Sequence, residues 1–189
     1  ATYQHGQTQL KGILVYDDAI DGKRPGVLVF HEWWGLNDYA RSRAQQLAAR
    51  GYVALAVDMY GQAKSTEHPE EAGQWSSQAT ANNQLFRDRT NLGLKALISH
   101  PLVDKQKTAA IGYCFGGAAV LELAYSGADI AGVVSFHGSL PIAEDDDLPN
   151  VKAKILICHG ANDSFVKADH IQAFQEKLAP SKVDWQMIY

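Results

Sequence analysis

The sequence predicts an α/β fold, a mostly parallel central sheet with helices on both faces. Three observations carry that expectation. The runs Gly26–Phe30 (GVLVF), Tyr52–Val57 (YVALAV) and Lys154–Cys158 (KILIC) are continuously apolar rather than alternating, as in strands buried on both faces. Helical stretches recur between such runs, which is the pattern of strand–helix–strand crossovers. The chain has 189 residues, 46% of them apolar, enough for one sizeable core and one domain, 1–189.

Taken in order, Thr8–Tyr16 (TQLKGILVY) reads as a strand and Gly26–Phe30 as a second one behind Pro25. Asp38–Arg50 reads as a helix with Asp38 as N-cap and Gly51 as its stop. Tyr52–Val57 is a strand and Met59–Gln74 mostly loop. Gln84–Ser99 reads as a helix with Leu85, Leu92 and Ala96 on its apolar stripe. Thr108–Gly112 is a strand, followed directly by a helix over Phe115–Tyr125. Gly132–Phe136, Lys154–Cys158 and Val183–Tyr189 are further strands, with a helix at Asp169–Leu178 between the last two. No internal repeat or Pro/Gly/Ser linker divides the chain.

Charge narrows the partners. The net charge of −4 argues against nucleic acid and against anionic membrane surfaces, both of which need a basic face. No apolar stretch reaches the ~18 residues of a spanning helix. Two cysteines exclude a disulfide scaffold and suit a reducing compartment. The opening ATYQHGQTQL is too polar for a signal-peptide core, so a cytoplasmic location is expected. Because the chain starts at Ala1, periplasmic export after signal cleavage is the alternative.

In sheets of this class the site lies at the carboxyl ends of the strands. The residues there are His31-Glu32, Asp58, Tyr113-Cys114, His137 and His159 through Asp163. The sharpest motif is Gly112-Tyr113-Cys114-Phe115-Gly116-Gly117, a G-x-C-x-G turn between a strand and a helix. A nucleophile on such a turn sits in strained backbone and is lifted clear of the sheet, and flanking glycines make room for neighbouring chain. The helix N-terminus behind it favours a thiolate at Cys114 and an oxyanion beside it. Cys158, inside ILIC, reads as core.

Asp163 follows a buried strand and comes after the nucleophile, the order nucleophile–acid–histidine of α/β-hydrolases. There it can accept a hydrogen bond from a histidine and fix its tautomer; the plainer reading is an Asx-turn aspartate. The histidine is the difficulty. Only His170 follows Asp163, and it reads as an exposed helix residue. His31, His137 and His159 each stand at a strand end and could approach Cys114 or only support the site by hydrogen bonding. His5, His68 and His100 read as loop or surface. Glu32, beside the pair Trp33-Trp34, reads as a partly desolvated proton acceptor. Trp33, Trp34, Tyr60, Tyr113 and Phe115, with His137, are candidates to line a pocket for a small planar substrate. The acidic run Glu144–Asp147 lacks calcium-loop spacing and reads as a solvated loop.

Three segments, G-Y-C-F-G-G at the turn, H-E-W-W-G-L-N (His31–Asn37) and C-H-G-A-N-D (Cys158–Asp163), together resemble the dienelactone hydrolase family of α/β-hydrolases. The resemblance extends over essentially the whole chain. It implies the α/β-hydrolase fold, with Cys114 as nucleophile, Asp163 as triad acid and Glu32 as the glutamate that contacts the resting thiol and helps to ionise it when substrate arrives. The backbone N–H groups of Trp33 and Phe115 would form the oxyanion hole. It further implies hydrolysis of a small ester or enol-lactone without metal or organic cofactor. The family's histidine lies in a loop after the final strand. No histidine here maps onto it, so the chain is expected to lack that C-terminal segment. The alternative function is a non-catalytic or truncated member that binds small ligands. A thiol-redox role is disfavoured by the absence of C-x-x-C. Oligomeric state and the identity of the substrate are not legible.

Overall fold

The computed structural model describes all 189 residues. Seven strands form the main sheet in the order β3 (Ile13–Val15), β5 (Val53–Val57), β4 (Arg24–Phe30), β6 (Val103–Tyr113), β7 (Gly132–Phe136), β8 (Lys154–Cys158) and β9 (Trp185–Ile188). Every pairing from β5 to β9 is parallel, and only β3 runs antiparallel, against β5. This is the doubly covered α/β architecture that the unbroken apolar runs predict.

The two faces are dressed unequally. Helix α1 (Asp38–Ala48) buries Ala40 and Ala44 against Val29, Ala54 and Ala56. The opposite face carries the larger core, where Leu28, Phe30, Leu55 and Val57 pack with α2 (Pro69–Thr80), α3 (Asn83–Ile98), α4 (Phe115–Tyr125) and α5 (Ala168–Leu178). Alternate residues of one strand thus feed different cores, as the period of two requires. Helix α4 is buried along its whole length.

Several elements differ from expectation. Thr8–Tyr16 is not one strand. Thr8–Lys11 (β2) pairs antiparallel with Thr2–His5 (β1) in a separate hairpin, and the chain joins the main sheet only at Ile13. The break falls at Gly12, where a Cβ would meet the Ala56 carbonyl oxygen and Leu55 Cδ1 at 2.9 Å. The cap of α1 is Asn37, whose side chain accepts from the Ala40 N–H, rather than Asp38, which occupies the first turn. Part of the expected Met59–Gln74 loop is α2, opened by Pro69 with Glu70 and Glu71 behind it. The buried stripe of α3 is Phe86, Thr90, Gly93, Leu94 and Leu97 rather than Leu85, Leu92 and Ala96. Gly93 lets the helix approach the sheet, since a Cβ there would lie 2.9 Å from Val57 Cγ1. Strand β6 begins at Val103, five residues before the expected start.

Three side-chain expectations also change. Cys158 is half-buried rather than core. His170 is not a free surface residue, because its Nε2 lies 2.8 Å from the Leu140 carbonyl oxygen. Asp147 is withdrawn from the acidic run into a network described below.

Candidate active site

The elbow at Cys114 is built by sterics. Cys114 sits at φ +53°, in the left-handed region, between β6 and α4. Two hydrogen bonds hold the turn: Cys114 N–H donates to the Phe136 carbonyl at 2.9 Å, and Gly117 N–H to the Cys114 carbonyl at 2.9 Å. The glycines are obligatory. A Cβ at Gly112 would lie 1.9 Å from the Gly116 oxygen, and one at Gly116 would lie 2.3 Å from the Phe30 oxygen. Side-chain-free residues therefore let the Cys114 turn pack directly on the backbone at the end of β4.

Burial pushes the Cys114 thiol pKa up, and it stays raised overall. The Phe115 amide lowers it, the Glu32 and Asp163 carboxylates raise it, and the Trp33 amide lowers it. Glu32 is half-buried, with its Oε1 3.7 Å from His137 Nε2. A sequence reading that paired Glu32 with the thiol alone missed this imidazole neighbour.

Asp163 stands on the β8–α5 loop. Its Oδ1 accepts from the Phe165 N–H at 2.8 Å and the Val166 N–H at 3.2 Å, an Asx-turn geometry. Its Oδ2 lies 3.9 Å from Nε2 of His159, whose ring is buried and makes no hydrogen bond. His31 is buried under the elbow, and its role is taken up below. His5 lies 3.5 Å from Asp88, and His68 precedes α2.

The aromatic residues stand in several settings. Tyr60 is buried, donates its hydroxyl to the Trp33 carbonyl at 3.1 Å, and borders a cavity of about 240 Å³ with Lys64, Trp75 and Arg89. Trp34 lines a different concavity of about 840 Å³, mostly polar, with Asn37, Tyr39, Glu67, His68 and Glu71. Tyr113 is committed to packing, stacked on Phe136 at 5.1 Å and edge-on to Tyr39 at 5.3 Å. His137 stands half-exposed at φ +42°. Nowhere do three or more His, Cys, Asp or Glu side chains come together as metal ligands.

With this geometry in place, comparison with known sequences is decisive. Residues 10–189 match the dienelactone hydrolase family. The chain belongs to that family. Family members similar to it include carboxymethylenebutenolidase of Pseudomonas putida, 29% identical over 157 residues, which span 80% of this chain and 66% of that one. Protein usf of Aquifex pyrophilus is 29% identical over 168 residues, covering 85% and 71%. Among solved structures, a dienelactone hydrolase-like promiscuous phosphotriesterase from metagenomic libraries is 39% identical with a TM-score of 0.95. That alignment covers all of this chain and 78% of that one. Within the dienelactone hydrolase family the protein is a hydrolase of α/β-hydrolase fold.

One buried network escaped the sequence reading. Arg87 donates from Nε to Glu122 at 2.6 Å and from both terminal nitrogens to Asp147 at 2.7 and 2.6 Å. It ties α3, α4 and the loop before β8 together. The pairing holds Asp147 below the ordinary carboxylate range, through its hydrogen bonds to Arg87. The partners are 35 and 60 residues from Arg87, so no local spacing signals them.

Proposed function

We propose that the protein hydrolyses small esters or enol-lactones with Cys114 as nucleophile. The observation that carries this reading is a cysteine held at positive φ on a glycine-flanked strand–helix elbow that packs on the backbone at the end of β4. In the proposed reaction the thiolate attacks the acyl carbon, and the carbonyl electron pair moves to oxygen, facing the two N–H groups. Collapse of that adduct breaks the bond to the alkoxide or enolate, which leaves with a proton. Water then adds to the thioester and releases the acid and the thiol. Asp163 serves to orient an imidazole through Oδ2, since Oδ1 is occupied by the Phe165 and Val166 amides. Glu32 takes the thiol proton when substrate arrives. A small-molecule ester or lactone is the only partner this scheme requires, and no metal or organic cofactor enters it.

The test is turnover of p-nitrophenyl acetate and of an enol-lactone by the wild type and by Cys114→Ala. The wild type gives an acyl adduct on Cys114 in intact mass spectra, and the alanine variant gives neither adduct nor turnover. Near wild-type turnover by Cys114→Ala sinks the proposal. An aryl phosphotriester belongs in the same panel, because of the 39% identity to a promiscuous phosphotriesterase. A second reading, a member that binds a lactone without turning it over, is favoured by the 3.9 Å separation of His159 from Asp163, an acid without an engaged base. Saturable lactone binding with no product from the wild type decides for it.

A further inference from the structure

We propose that His31 is a positioning residue of the oxyanion hole, fixing the Glu32–Trp33 peptide so that its N–H is aimed at the reacting centre. The inference rests on the thiol-nucleophile reading above and assigns a role to a side chain that this reading does not use.

One peptide unit links the imidazole to the reacting centre. In a trans peptide the C=O and N–H point in opposite directions. The Glu32 oxygen and the Trp33 N–H belong to the same unit, so holding the first aims the second. The Glu32 oxygen lies 2.6 Å from His31 Nδ1 and accepts a further, longer bond from the Gly35 N–H at 3.2 Å. The other edge of that peptide is the Trp33 N–H, which lowers the pKa of the Cys114 thiol. His31 Nε2 accepts from the Met59 N–H at 3.3 Å, so it carries no proton. The neutral ring must then bear its hydrogen on Nδ1 and donate to Glu32.

Burial keeps the ring neutral, with its pKa lowered to about 4 despite the Glu32 bond and the nearby Asp58 charge. The same ring stacks on Phe115, centroids 5.7 Å apart and planes within 10°. Phe115 carries the second amide. Tyr60 stands edge-on to His31 at 4.9 Å and donates to the Trp33 carbonyl. One imidazole therefore touches both donor segments, and a hydrogen bond to the Glu32 carbonyl also polarises the N–H of that peptide.

Two substitutions separate positioning from packing. His31→Gln places an amide oxygen near Nε2, keeping the Met59 acceptor but losing the Nδ1 donor. His31→Asn places an amide nitrogen near Nδ1 and keeps that donor. With p-nitrophenyl acetate, kcat of His31→Gln falls roughly 10- to 100-fold, short of the ~10²–10³ for deleting a donor outright because Gly35 still holds the carbonyl. KM moves less than about three-fold, and His31→Asn keeps at least about a third of wild-type kcat. The high-pH plateau rate of Cys114 alkylation by iodoacetamide, a displacement that forms no oxyanion, stays within about two-fold in both variants. Equal kcat losses in the two variants, an unimpaired His31→Gln, or a parallel loss of alkylation overturns the proposal. Turnover retained by Cys114→Ala overturns the nucleophile reading instead, so the two failures are distinct. If His31→Gln does not fold, the wild type decides. Long-range ¹H–¹⁵N spectra show the Nδ1–H tautomer without titration from about pH 5.5 to 8, and an Nε2–H tautomer or a titrating ring refutes the assignment.

Discussion

Asp58→Asn is the most informative stability perturbation outside the candidate site. Asp58 is fully buried at the carboxyl end of β5 and accepts four backbone N–H bonds. Oδ1 takes those of Tyr60 at 3.0 Å and Gly61 at 2.7 Å, and Oδ2 those of Lys11 and Ala63 at 2.8 Å each. The bonds serve a loop that turns through Gly61, Gln62 and Ala63, all at positive φ. They also fasten β2, through Lys11, to the end of the sheet. Asparagine has nearly the same shape but only one acceptor oxygen, so its NH₂ must face two of the four amides. Each buried donor left without a partner costs about 1–3 kcal/mol, so two cost about 4 kcal/mol. For a chain of this size that is a fall in Tm of roughly 10 °C. Urea and thermal denaturation followed by circular dichroism at pH 7 measure it, with the denaturant slope unchanged. A loss below about 1 kcal/mol would mean that the second oxygen contributes nothing, and would refute the account of this loop.

Four further outcomes are expected. Gly116→Ala places a methyl 2.3 Å from the Phe30 oxygen and 2.7 Å from the His31 oxygen, both backbone; it should cost more than about 3 kcal/mol or prevent soluble folding, read as Tm or yield. Arg87→Met leaves Glu122 and Asp147 buried without their cation, for a loss of about 3–5 kcal/mol in urea denaturation. Because the folded-state pKa of Asp147 is depressed, its contribution is present above the unfolded value of about 3.9 and is lost as pH falls through the lower folded value; Arg87→Met should flatten the stability profile below about pH 4. Iodoacetamide labelling of Cys114 should rise through a midpoint above the ordinary thiol value of about 8.5, and Glu32→Gln should lower that midpoint by removing a negative charge.

The parallel strands were the legible part of the fold, because burial on both faces leaves no polar position to confuse the pattern. The candidate site was legible for the same reason: strand ends locate it, and the glycines around Cys114 report the backbone contacts directly. What escaped reading was fixed by tertiary structure. Thr2–His5 is polar and short, and becomes a strand only by pairing with Thr8–Lys11. The α3 stripe was misphased because two of its buried positions, Thr90 and Gly93, are not apolar. Helix α2 did carry a signal, Pro69 followed by two glutamates, which is a helix start outweighed here by the polar run around it. Asn37 and Asp38 are equally good caps by residue type, and only backbone conformation separates them, Asn37 being extended at ψ −179°.

The burial of α4 along all 11 of its residues bears on how this scaffold can change over time. A helix with no solvent face has no position that accepts a larger or charged residue without disturbing the core. Its amides should exchange with deuterium only when the whole domain opens. The segment that carries Cys114 is therefore a poor place for sequence drift. The loops after β4, β5 and β8 contribute Glu32, Tyr60 and Asp163 and have exposed stretches where substitutions are tolerated. New substrates are expected to be acquired by revising those loops around a fixed helix. A deep mutational scan should show this as a sharp contrast in tolerance between residues 115–125 and the loop residues 65–68 and 160–162.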